Sequence, residues 1–108
     1  MTLTQPRNLQ VSLPLGAIAE ICARWNITRV EVFGSVVRPE FSSESDVDLL
    51  YTFDPQVRIG LKIAELADEL EALMGRKVDL VSRQAVERSA NPYRRKRILG
   101  SAQVIYER

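Results

Sequence analysis

The 108-residue sequence contains no histidine and a single cysteine, Cys22. An internal disulfide is therefore excluded, and a zinc site of the usual Cys/His kind has no donors. Aromatic residues make up only 6% of the chain, so platforms for stacking nucleic-acid bases are scarce. No apolar run approaches the roughly 18 residues needed to cross a membrane. The opening stretch, "MTLTQPRNLQVSLPLG", lacks the basic start and apolar core of a signal peptide. These absences predict a cytoplasmic protein with no membrane segment. Repeats, low-complexity tracts and linkers are also missing. The length suits one compact domain, residues 1–108, with residues 1–13 as a loose lead-in.

An apolar content of 45% and a charged content of 27% are those of an ordinary globular chain. The charge is unevenly spread. Residues 1–82 hold 8 Lys/Arg against 12 Asp/Glu, whereas residues 83–108 hold 7 against 2. An acidic body with a basic end points to a negatively charged partner or ligand, or to a solvated basic helix.

Periodicity gives a coarse order of elements. "PLGAIAEICARWN" sets Leu15, Ile18, Ala19 and Cys22 at helical spacing. "ITRVEVFG" and "DVDLLYTF" read as strands, and Val47, Leu49 and Tyr51 lie opposite the aspartates of the second. "IGLKIAELADELEALMG" is the clearest helix, with Gly75 as its C-cap. "RKVDLVS" is a third strand, with Asp79 on the face opposite Val78 and Leu80. "RQAVERSA" and "NPYRRKRILGSAQVIYER" read as helical, the second capped by Asn91, started by Pro92 and interruptible at Gly100. The predicted class is α/β, a small sheet with helices on one face. The other face carries Asp46, Asp48 and Asp79.

Asp46 and Asp48 share a face because strand side chains alternate. Adjacent carboxylates repel and resist desolvation unless a cation or proton lies between them. Upstream, Gly34 allows close approach of a ligand to the backbone, and Ser35 offers a hydroxyl and an N–H where a helical turn begins, a setting that attracts phosphate. Three acids beside a phosphate cradle are what two Mg²⁺ ions and a nucleoside triphosphate require. Each piece also has a plainer reading: a simple turn at Gly34–Ser35, solvated aspartates, and for Arg38 a surface ion pair with Glu40 or Glu44. Cys22 and Trp25 read most simply as packing residues, and "YRRKR" (93–97) as an exposed face or partner contact.

Gly34, Ser35, ten residues, Asp46, Val47, Asp48: this run resembles the signature of the nucleotidyltransferases related to DNA polymerase beta. With the short length and Asp79, the chain is similar to their minimal group over about residues 14–106. The resemblance implies a palm-like mixed sheet backed by helices. It implies that Asp46, Asp48 and Asp79 hold two Mg²⁺ ions, and that Asp79 also helps deprotonate the acceptor. Gly34 and Ser35 would hold the β- and γ-phosphates of ATP, and Arg38 would meet phosphate charge. Pro39 stands where relatives often have glycine. Minimal members are commonly antitoxins paired with a HEPN ribonuclease toxin, which some neutralise by transferring AMP to a tyrosine hydroxyl. The alternative is a non-catalytic antitoxin or scaffold that masks its partner. Binding of nucleic acid through the basic end is the least supported expectation.

Overall fold

Ile18, Ala19, Ile21 and Cys22 give the first helix, α1 (Leu15–Arg24), one buried apolar face. The structure, a computed structural model, describes residues 2–3, 13–34, 46–54, 56 and 62–108. After α1 the chain reverses through Asn26, whose φ of 58° lies in the left-handed region that asparagine tolerates better than most residues. It then enters β2 (Ile27–Phe33), which pairs antiparallel with β3 (Val47–Phe53). A parallel neighbour needs a crossover, and α2 (Ile63–Met74) supplies it before β4 (Val78–Ser82) pairs parallel with β3. Gly75, at φ 68°, ends α2 in the left-handed conformation, as its sequence position predicts.

Two short elements follow. α3 (Arg83–Glu87) is capped by Ser82, whose Oγ accepts from the N–H of Ala85. α4 (Pro92–Ser101) is capped by Asn91, whose side chain accepts from the N–H groups of Tyr93 and Arg94, with Pro92 in the first turn as expected. β5 (Gln103–Glu107) then lies between β2 and β1 (Thr2–Leu3), and the five-stranded mixed sheet has the order β1-β5-β2-β3-β4. Among the described residues no helix is long and apolar enough to cross a membrane.

The end of the chain departs from the expectation of a helix through residue 108. Ser101 donates its hydroxyl to the carbonyls of Arg97 and Ile98, and the backbone turns extended at Ala102. Helix propensities for Val104, Ile105 and Tyr106 cost only about half a kcal/mol each, so local preference decides little. Burial decides it. Ile105 is 0% and Tyr106 1% exposed, each contributing about 2 kcal/mol, and the pairing satisfies the backbone of β2. Tyr106 is thus a core residue of a strand rather than part of the expected helix. The lead-in likewise holds more structure than expected: Thr2–Leu3 pairs with Tyr106–Glu107, and Leu13 is buried.

Consecutive strand residues serve two cores. Val47, Leu49 and Val78 pack with α1 and α2, while Leu50 packs on the opposite face with Phe33, Val86 of α3 and Ile98 of α4. The mixed sheet backed by helices is therefore as expected, with short helical cover added on part of the second face. Buried Glu31 of β2 holds α3 there, both its oxygens lying 2.6 Å from Nη1 of Arg83. Removing one partner of such a pair strands a charge and costs about 2–4 kcal/mol at this partial burial.

Candidate active site

The register brings two of the three predicted acids together. Asp48 and Asp79 are direct Cα partners on the parallel strands β3 and β4, so they share a face, about 4.8 Å apart between backbones. Asp46 stands exposed immediately before β3, and Asp79 is exposed on β4. On the other side of β3, Phe33 is the partner of Asp48, which sets Gly34 against the same carboxylate.

Gly34 has φ 76°, a conformation that L side chains rarely adopt. A Cβ built on it would collide with Oδ2 of Asp48 and stand 3.2 Å from its Cγ. The end of β2 and the start of β3 are therefore packed backbone against carboxylate, a fit that only glycine permits. Ser35, Arg38 and the chain around Pro39 lie outside the described residues, so the expected phosphate cradle is represented here by Gly34 alone.

The edge strand β4 needs its register fixed, since a slip of one residue would turn Asp79 into the core. Glu71, in the last turn of α2, accepts the N–H of Val78 at 2.9 Å, and the N–H of Val47 donates to the carbonyl of Lys77 at 2.9 Å. Glu71 is a positioning residue that the sequence does not betray, being one of several acids along the polar side of α2.

The all-oxygen donor chemistry of Asp46, Asp48 and Asp79 fits a hard cation such as Mg²⁺. Among the described residues no three such side chains stand close enough to hold a metal ion by themselves. Cys22 belongs to the other core, where burial pushes its thiol up to about 12, so it packs and does not react.

Residues 16–105 match the family model described as nucleotidyltransferase domain. Over 68 residues the chain is 41% identical to the protein adenylyltransferase MntA of Thermococcus cleftensis, a stretch covering 63% of this chain and 68% of that protein. A solved structure described as a minimal nucleotidyltransferase is 38% identical, with a TM-score of 0.63 over 82% of this chain and 86% of that one. A toxin–antitoxin structure solved with AMP-PNP superposes with a TM-score of 0.66, covering 89% of this chain and 75% of that one. At 20% identity this last likeness is one of fold.

Proposed function

The chain belongs to the nucleotidyltransferase domain family, and from that premise we propose that it is the antitoxin of a pair, transferring AMP from ATP to a tyrosine hydroxyl of a HEPN-type ribonuclease toxin in the cytoplasm. The observation that carries the reading is the Asp48–Asp79 register pair with Gly34 packed against Asp48. The name of the Thermococcus relative, a protein adenylyltransferase, supports the choice of a protein acceptor. The toxin–antitoxin structures of the same fold support the choice of partner.

In the proposed reaction the acceptor oxygen attacks the α-phosphorus of ATP in line with the bond to the β-phosphate. An O–P bond forms, the Pα–O bond breaks, and pyrophosphate leaves with the electron pair. Asp79 accepts the hydroxyl proton or orients the hydroxyl for its loss to water. Gly34 and Ser35 hold the β- and γ-phosphates so that pyrophosphate departs opposite the nucleophile, and Arg38 offsets their charge. Asp46, Asp48 and Asp79 would hold Mg²⁺, which when bound neutralises charge on the triphosphate and lowers the pKa of the acceptor hydroxyl.

The test is mass spectrometry of the adjacent gene's product after incubation with ATP and Mg²⁺. The native chain should add the mass of one AMP unit, and Asp48→Ala should lower the rate by about three orders of magnitude. A second reading is masking of the partner without catalysis. It prevails if Asp48→Ala neutralises the partner as well as the native chain and the partner never gains mass.

A further inference from the structure

α4 buries little of itself. Ile98 reaches the core with Leu99 beside it, whereas Asn91, Pro92, Tyr93 and Arg94 are all exposed. Tyr93 is 85% exposed, the one large hydrophobic side chain so placed among the described residues. With Asn91, Arg94 and Arg97 it lines an open cavity of about 280 Å³. Arg97 stands at i+4 from Tyr93 and at i+3 from Arg94, so the three form one helical face. Arg94, Lys96 and Arg97 are exposed, and none takes part in an ion pair among the described residues. Arg95 differs from its neighbours, because it donates to the carbonyl of Ser89 at 2.6 Å and is spent inside the fold. The first N–H groups of α4 are likewise spent, on the side chain of Asn91.

We propose that this face of α4 docks an acidic surface of the protein that accepts the nucleotidyl group, an inference that rests on the acceptor being a protein. Unpaired cations beside an exposed tyrosine contribute nothing to the isolated fold, whereas Tyr and Arg are the residues that anchor interfaces. Placement supports the assignment. Ile98 packs with Phe33 and Leu50 on the sheet face that carries Asp48 and Asp79, so α4 borders the candidate site on its own side. A partner held there brings its hydroxyl to the face where transfer occurs. A nucleic-acid strand is the poorer occupant, because the patch has one aromatic ring on which a base could stack.

The experiment compares the full chain, R94E/R97E and Tyr93→Ala for binding and AMP transfer to the adjacent gene's product at low and high salt. An oligouridylate serves as the nucleic-acid probe. R94E/R97E should raise the KM for the partner roughly 10- to 100-fold at low salt, less at high salt, with kcat retained at saturating partner. Tyr93→Ala should raise KM at all salts. Circular dichroism should show both variants folded, since neither position supports the core. If the native chain transfers AMP and R94E/R97E does so with unchanged KM, the docking assignment is overturned while the reaction stands. If R94E/R97E instead loses only oligouridylate binding, the patch is a nucleic-acid site and the assignment is equally overturned. If the native chain neither binds the partner nor adds AMP to it, the proposed function fails and the docking surface falls with it.

Discussion

Replacing Gly34 by alanine tests the backbone–carboxylate contact directly, and Gly75 supplies the control. Both glycines sit in the left-handed region, at φ 76° and 68°. An alanine at either position therefore carries the same conformational strain, about 1–2 kcal/mol. The surroundings differ. Nothing lies within 4 Å of a Cβ at Gly75, whereas at Gly34 it would collide with Oδ2 of Asp48 and lie 3.5 Å from its Cβ. Gly75→Ala should thus lower stability by about 1–2 kcal/mol, roughly 4–16 °C in Tm for a domain of this size, with turnover retained in the folded fraction. Gly34→Ala should show that loss and one more, because the Asp48 carboxylate must rotate away from the face it shares with Asp79. A displacement of about 1 Å at a positioned group costs on the order of 100-fold in rate. The assay pairs thermal unfolding with the initial rate of AMP transfer for both variants. Equal stability loss with equal retained activity at the two positions would refute the claim that Gly34 is required by Asp48.

Two further expectations follow from the surroundings of the site and from the helix pair behind the sheet. Glu71→Ala leaves the N–H of Val78 without its acceptor, so amide exchange there should rise and AMP transfer should fall about 10-fold, while Glu71→Gln keeps an acceptor and should stay within about 2-fold. Glu69 accepts from Arg24 at 2.7 Å, and that bond, aided by the indole of Trp25, holds its carboxyl below the ordinary value of 4.5. A depressed folded pKa means stabilisation that is present above the unfolded value and lost as pH falls through the folded one. The Tm advantage of the native chain over Glu69→Gln should accordingly be full near pH 6 and shrink progressively as the pH falls below the ordinary value of 4.5.

The sequence is most informative where a short-range rule meets a strong constraint. Alternation around Asp48 and Asp79 placed both on the face away from Val47, Leu49, Val78 and Leu80, and the register agrees. Helices α1 and α2 declared themselves by period, and Gly75 and Asn91 by cap chemistry. What failed was governed by distant partners. "QVIYE" is five residues long and follows helix formers, so only the open edge of β2 reveals it as a strand. The two-residue β1 has no pattern of its own and exists because β5 is there to pair with it. Arg83 and Glu31 meet across 52 positions, and nothing local separates Arg95, bound to Ser89, from the exposed Arg94. The basic end read as a uniform run is in fact sorted into structural and free cations.

The topology explains why a charge pair leads straight into hydrophobic residues. β2 runs antiparallel to β3, so the chain leaves β2 at Gly34 where β3 and β4 begin, and all three converge on one end of the sheet. A wholly parallel arrangement would carry Gly34 to the far end, away from Asp48. Along β3 and β4 the face then changes character within two residues, about 7 Å. Asp48 and Asp79 give way to Leu50 and Val81, which pack in the core that Val86 and Ile98 complete. That apolar cover fixes the strands, and thereby the direction of both carboxylates, while leaving Asp79 exposed to whatever it must bind. The hydrophobic residues that follow the acids are the anchor that lets two like charges be held side by side.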